Sequence, residues 1–345
     1  MKHFIKNQLS KFFHTFPIAR RVVSKLNNVA NYSSDTISSI QIRPEEKEIF
    51  TAKALYAGYS VEYLNARALT IEERACELKK IFYRNLGYYL DLDNPKTFNQ
   101  KIQWLKLHYL DTDMPRCVDK AEFKEYIAEK IGKEYVVPNY CVVENENDID
   151  FDALPDMFVM KSNVQSDARH ILLIKDKSKL DIDKAKTVMA TWFLKKNNLC
   201  SSYCRAYWDV KPKIVIEKFL VTKSGGINDY KFYCYKGKCK HFLVCKDRGS
   251  NTKYINYDMN FKCIKPSPNS YFIDKQYEDI DTIKNMISIA EKLAVPFPFV
   301  RVDFYDVDGH LYVGELTFYP GGGYNTYFKE WDEKFGSYLE LPQIK

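Results

Sequence analysis

The chain has no stretch near the roughly 18 consecutive apolar residues that a membrane-crossing helix needs. Glycine and proline are sparse, 13 of each in 345 residues, which excludes collagen-like and low-complexity classes. No C-x-x-C pair occurs among the nine cysteines, and the tightest spacing is Cys200-x-x-x-Cys204 with no histidine nearby. An odd count at scattered spacing, without a recognisable cleavable signal, reads as free thiols in a reducing cytoplasm and argues against zinc. No Ser-His-Asp or Cys-His arrangement marks a protein nucleophile. Acidic residues are absent from the first 34 positions, which hold Lys2, Lys6, Lys11, Arg20, Arg21 and Lys25. These six account for most of the net charge of +7 and leave +1 for the rest. A near-neutral body does not present a nucleic-acid-binding face.

Hydrophobic residues make up 46% and charged residues 28%, with 26 tyrosines and 22 phenylalanines, the composition of a folded globular chain. Residues 1–30 mix Phe4, Ile5, Leu9, Phe12, Phe13 and Phe16 with the basic side chains, and Pro17 breaks any helix there. Two readings of this leader stay open: an amphipathic segment lying on an anionic membrane surface, or a helix docked on the protein's own body. Residues 31–43 are polar and Ser-rich, a linker pattern. Beyond it, IEERACELKKIFYRNLGYYL has helical spacing, and Asn94-Pro95 opens a segment with Phe98, Ile102, Leu105 and Tyr109 on one stripe. DKAEFKEYIAEKIG predicts a further helix with Asp119 as N-cap and Gly132 as its stop. After it the period changes to short β-like runs, with helices at about 182–196 and 279–294. The turns SGGIN, YKGK and DVDGH predict hairpins, hence largely antiparallel sheets and an α+β chain.

The richest segment is FVRVDFYDVDGHLYVGELTFYPGGG, residues 299–323. Counting back from the turn at Asp308-Gly309 sets Asp303 and Glu315 on opposite arms of one hairpin, near cross-strand neighbours. Adjacent carboxylates destabilise a sheet unless something sits between them. Hard oxygen donors of this kind suit magnesium with phosphate oxygens, and Arg301 beside them offers a fork for a phosphate or carboxylate. Lys161 ends an apolar strand before a polar loop, a geometry that sets an ammonium against phosphates. Glu217 and Lys218 interrupt the apolar strand IVIEKFL, whose backbone could meet a flat base edge.

In this order the pieces resemble the ATP-grasp superfamily, and most closely its TupA-like branch, found among genes for bacterial surface polysaccharides. The resemblance is carried by NPKTFNQKIQWLKLHYLD, VDKAEFKEYIAEKIGKEYVVP, DFDALPDMFVMKSN, KPKIVIEKFL, DYKFYCYKG, FPFVRVDFYDVDG and YVGELTFYPGGG, running from about residue 94 to 335. It implies an ATP-grasp fold: two α+β lobes with largely antiparallel sheets gripping the nucleotide, preceded by a helical N-terminal region. The expected division is a basic leader (1–30), a linker and helical region (31–110), a first lobe (111–213) and a second lobe with the metal site (214–345).

By resemblance, Lys120 is the first nucleotide-contacting lysine and Lys161 the second, reaching the α- and β-phosphates. Glu217, with the backbone of Lys218 and Leu220, corresponds to the hinge that reads adenine. Asp229 and Lys231 lie near ribose and phosphates. Arg301 steadies the transferring phosphoryl group, and Asp303 and Glu315 are the magnesium ligands. The chain departs from the family in the loop after Lys161, which has no glycine from Ser162 to His170; Ser166, Arg169 or His170 would have to serve there. It also carries Thr317 where the wider superfamily often has Asn.

The activity implied is ATP-dependent carboxylate–amine ligation through an acylphosphate, with ATP and Mg2+. The other substrates would be a saccharide or lipid-linked polysaccharide precursor and an amino acid or amino sugar. The protein would be cytoplasmic, its leader resting on the inner leaflet. Two alternatives remain: a glycosyltransferase using Asp306-Val307-Asp308 as a D-x-D metal motif, and a degenerate ATP-grasp scaffold that binds nucleotide without turnover.

Overall fold

The structure is a computed structural model that describes residues 67–343 except 68, 166–169, 195–202, 224, 247–251, 274–276 and 278. The basic leader, the Ser-rich linker, Ser166, Arg169 and Cys200 lie outside the described residues. Helix α1 (Ile71–Leu86) begins in a capping box between Thr70 and Glu73 and ends at Gly87, whose φ of 75° suits a left-handed cap. Helix α2 (Phe98–His108) starts in a second box, Thr97 with Gln100. Short α3 (Met114–Val118) leads to α4 (Phe123–Ile131), which stops at Gly132 as expected. Asp119 is not its N-cap: the helix begins four residues later, and the Asp119 carboxylate instead accepts from the Ala121 N–H and from Asn163.

A smaller sheet is built from β1 (Asn139–Val143), β2 (Phe158–Ser162), β3 (Ile171–Ile174) and β4 (Ile214–Lys218) in the order β1-β4-β2-β3, antiparallel throughout. One of its faces carries Phe158, Met160, Ile214 and Ile216 against Ala185, Met189 and Trp192 of α5 (Ile182–Leu194). By the period of two, Lys161 and Glu217 stand on the other face.

The larger sheet runs β10-β9-β5-β6-β7-β8, also antiparallel. Its strands are β5 (Asp229–Tyr235), β6 (Lys238–Lys246), β7 (Lys253–Asp258), β8 (Cys263–Ile264), β9 (Phe299–Val307) and β10 (His310–Thr317). Lys236-Gly237 and Asp308-Gly309 close two hairpins with positive φ at both residues, as two-residue turns matching strand twist require. The SGGIN segment is no hairpin. Strand β4 belongs to the smaller sheet and β5 to the larger, so residues 219–228 cross between sheets.

Helix α6 (Ile280–Ala294) covers the apolar face of the larger sheet formed by Val300, Val302, Phe304 and Phe232. On the opposite face, α2 and α7 (Lys329–Tyr338) cover one end: Phe98 meets Phe299 at 5.0 Å, and Phe335 stacks on His241 at 4.0 Å. Arg301 and Asp303, two and four residues further along β9 on that face, lie beyond this cover. Among the described residues, no helix is long and apolar enough to cross a membrane. The eight described cysteines are free thiols.

Gly336 sets how closely α7 approaches α2. A Cβ there would run into the Lys96 carbonyl oxygen and lie 2.7 Å from the Thr97 carbonyl carbon, both backbone atoms. Alanine ordinarily favours a helix interior over glycine by about 1 kcal/mol. Here Gly336→Ala should destabilise by roughly 2 kcal/mol, as overpacking does. Denaturant unfolding checks this, and an unchanged or raised midpoint would contradict the packing.

Candidate active site

The hairpin β9–β10 places its charged residues by means of one extra residue. Register runs Tyr305 opposite Tyr312 and Phe304 opposite Val313, then shifts so that Asp303 faces Glu315. Gly314 is the bulged position. Without it Asp303 would face residue 314, and Glu315 would turn to the other side of the sheet. A Cβ on Gly314 would lie 2.8 Å from a Tyr305 ring carbon, so a side chain there would require the ring to shift. Strand β5 pairs with β9 on its other side, with Lys231 opposite Asp303 and Tyr233 opposite Arg301. Three adjacent strands therefore present Glu315, Asp303 and Lys231 in one row, and Thr317, Arg301 and Tyr233 in the next.

These side chains bind one another. Arg301 grips Asp303 with two nitrogens, Nε to Oδ1 at 2.6 Å and Nη2 to Oδ2 at 2.7 Å. The same Nη2 reaches Glu315 Oε1 at 2.8 Å and Thr317 Oγ1 at 3.1 Å, while Thr317 donates to Glu315 at 3.1 Å. Lys231 Nζ lies 2.6 Å from Asp229 Oδ2 and 2.5 Å from Asp303 Oδ2. Burial pushes the Asp303 carboxyl up to about 6, reinforced by Glu315 and Asp229 and opposed by Arg301 and Lys231. Burial would raise Glu315 as well, but Arg301, Lys231 and Lys120 outweigh it and hold that carboxyl at about 2. Burial also opposes the charge on Lys231, yet Asp303 and Asp229 keep it well above the ordinary lysine value.

The smaller sheet supplies the second half. Glu217, 7% exposed, has both carboxylate oxygens engaged: Lys161 at 2.5 Å and Lys124 at 2.6 Å. Lys124 also donates to the Val137 carbonyl at 2.8 Å and to Asn139 Oδ1. Two ammonium groups share one carboxylate. Glu217 is held below its usual range by both lysines against the effect of burial, and burial drags Lys124 down to about 8. Lys120 donates to the carbonyl oxygens of Gln165 at 2.5 Å and Asn163 at 3.4 Å. Burial lowers it to about 8, with Lys161 adding to the fall and Glu315, Asp119 and Glu217 resisting it. Lys120 thus senses carboxylates of both sheets, which places it where their charged faces converge.

Of the residues expected from sequence, Arg301, Asp303, Glu315, Lys231 and Asp229 form one cluster and Lys161 with Glu217 another, while Lys120 bonds to backbone carbonyls and feels the charge of both. Lys218 points to solvent, and its N–H already donates to the Pro138 carbonyl at 2.9 Å. Leu220 is half-buried and makes no polar contact with either cluster through its side chain. His170, at the far end of the glycine-free loop, is buried beside Trp192, 6.4 Å between ring centres. Lys124 escaped the sequence reading. Its signal was a lysine inside the apolar stripe of Phe123, Tyr126 and Ile127, four residues after Lys120.

Asp306 and Asp308 do not form a metal-binding D-x-D. Asp306 accepts from the Gly309 N–H at 2.8 Å, and Asp308, at a φ of 53°, accepts from the Lys223 N–H at 3.1 Å. The Asp306 carboxylate closes the turn, and that of Asp308 ties it to the segment at Lys223. Among the described residues, no group of three or more His, Cys, Asp or Glu side chains forms a metal cage. The pair Asp303 and Glu315 nonetheless fits magnesium, which takes one or two protein carboxylates and completes its shell from phosphates and water.

Two antiparallel sheets that converge on paired carboxylates, lysines and one arginine define the class of fold. The chain belongs to the TupA-like ATPgrasp family, which it matches over residues 100–340. Solved structures similar to it include D-alanine–D-alanine ligase from Bacillus anthracis, at 20% identity over 59% of this chain and 57% of that one, with a TM-score of 0.36. N5-carboxyaminoimidazole synthetase from Staphylococcus aureus, complexed with ADP, is 15% identical over 66% and 53%, with a TM-score of 0.40. D-alanine–D-alanine ligase from Helicobacter pylori is 16% identical over 70% and 69%, with a TM-score of 0.41. The chain spans little more than half the length of the first two. No curated protein sequence matches it.

Proposed function

We propose that the protein is an ATP-dependent carboxylate–amine ligase that forms an amide through an acylphosphate. The acceptor would be a carboxylate on a saccharide or peptide precursor of a bacterial surface polymer, and the amine that of an amino acid or amino sugar. One observation supports this above others: Asp303 and Glu315 are held side by side by a single arginine, with the Lys120 ammonium close enough to feel both Glu315 and Glu217 of the smaller sheet. Phosphoryl transfer needs no protein nucleophile; it needs positioning and charge neutralisation. Lys120 and Lys161 would meet the phosphates, and Arg301 would steady the group in transit. Asp303 and Glu315 would hold Mg2+, which when bound offsets the negative charge of the triphosphate. Glu217 and the strand end at Lys218 and Leu220 would border the adenine, with Asp229 and Lys231 nearer the ribose and phosphates. The role of the leader at residues 1–30 would be to rest on an anionic inner leaflet, close to lipid-linked precursors.

This assignment gives ATP binding a sign with pH. Lys120 is charged below about pH 8 and loses its proton above it. Only the ammonium form attracts a polyphosphate, so the dissociation constant for ATP should rise by up to about tenfold per pH unit above that point. Lys120→Arg, charged throughout, should flatten the profile. Titration of Mg-ATP at pH 7 and pH 9 checks it; equal affinities in the native protein would remove Lys120 from the phosphate site.

A further inference from the structure

Lys231 stands where a cation is wanted. Its ammonium sits between Asp229 and Asp303, 2.6 and 2.5 Å from one oxygen of each, and its side chain is 16% exposed. Asp303, only 3% exposed as a side chain, has both oxygens engaged: Arg301 Nε holds Oδ1, and Oδ2 receives both Arg301 Nη2 and Lys231. Arg301 is fixed by its planar fork, with bonds to Asp303, Glu315 and Thr317. Lys231 has a flexible four-carbon stem and a single charged tip, so it is the partner that can move. A divalent ion arriving alone would compete with this buried ammonium for Asp303 Oδ2, and a displaced ammonium would have nothing new to receive it. A triphosphate arriving with the ion offers that new partner.

We propose that Lys231 is a tethered counter-ion of the metal carboxylates, drawn away by nucleotide phosphates, so that divalent metal and nucleotide bind synergistically and neither binds well alone. This rests on the reading of the site as a metal–nucleotide centre. The exchange moves no covalent bond: the ammonium would leave Asp303 for a phosphate oxygen, and Asp303 Oδ2, still held by Arg301, would then have a lone pair to offer the metal. Coupling is reciprocal, so the factor by which metal strengthens nucleotide binding is the factor by which nucleotide strengthens metal binding.

Substituting Lys231 should therefore improve metal binding in the absence of nucleotide, a gain that a merely structural lysine would not produce. The probe is Mn2+, followed by electron paramagnetic resonance on the full chain. Lys231→Met should bind Mn2+ about tenfold more tightly than the native protein without nucleotide, within the usual range of site coupling. Adding Asp303→Asn should remove the gain. Lys231→Gln repeats the test should the Met variant not fold. In parallel, Mn2+ should strengthen AMP-PNP binding by about tenfold in the native protein and by less in Lys231→Met. If Lys231→Met takes Mn2+ no more tightly than the native protein while Mn2+ still strengthens AMP-PNP binding, the counter-ion role is wrong and the metal–nucleotide centre stands. If Mn2+ has no effect on AMP-PNP in any variant, both fall.

Discussion

Glu315→Gln should lower ATP turnover at least a thousandfold, about 4 kcal/mol of transition-state stabilisation, while the fold survives. Glutamine keeps the shape and one oxygen but removes the charge that, with Asp303, would hold the divalent ion. The fold should survive because Glu315 is about one-third exposed and Arg301 keeps its two-nitrogen grip on Asp303. ADP release in the presence of candidate acceptors, alongside thermal melting, separates the two effects. A variant that melts normally and turns over at the native rate would take the metal role away from this hairpin.

Glu217→Gln should act on stability first. Three side chains, Lys124, Glu217 and Lys161, are 7%, 10% and 13% exposed, and the one carboxylate compensates both ammonium groups. Breaking a buried pair by neutralising one partner typically costs about 3–5 kcal/mol, because the other charge is left without compensation. The loss should be smaller when Lys124→Met is already present, since one of the stranded charges is then gone, and a double-mutant cycle reads that difference. A loss under about 1 kcal/mol would mean that the trio behaves like exposed ion pairs. ATP affinity should fall as well, because Lys161 loses the anchor that fixes its direction.

The hairpin that carries the chemistry was legible because its pattern is local. Asp308-Gly309 announces a two-residue turn, and a period of two along FVRVDFYDV assigns Arg301 and Asp303 to one face. The count from the turn left Glu315 a near neighbour of Asp303; the structure makes it the direct partner through the bulge at Gly314. Gly314 looks in sequence like any strand glycine, and only the structure shows that it carries the bulge and that the Tyr305 ring packs over it. Of the two helix-end signals read from sequence, the stop at Gly132 matched the structure, and the capping boxes at Thr70 and Thr97 were not read at all. The expected N-cap at Asp119 failed, because its carboxylate is claimed by Asn163, 44 positions away.

The segment SGGIN shows the opposite limit. Its composition is that of a hairpin turn, yet β4 finds its partners in β1 and β2 while β5 finds its own in β6 and β9. Turn chemistry describes a change of direction and does not name the strand on the far side. Lys124 was hidden for a related reason. Helical periodicity marks it as inward-facing, but its partner Glu217 lies 93 positions along the chain. The missed group, Lys124, stands on a helix and meets its partner on a strand of the smaller sheet.

A crystal structure with Mg2+ and AMP-PNP tests the central claim most directly. It should show a metal ion about 2.1 Å from oxygens of both Asp303 and Glu315 and touching phosphate oxygens, with Lys120 and Lys161 on the same triphosphate. A nucleotide bound elsewhere, or a metal that avoids both carboxylates, would contradict the account.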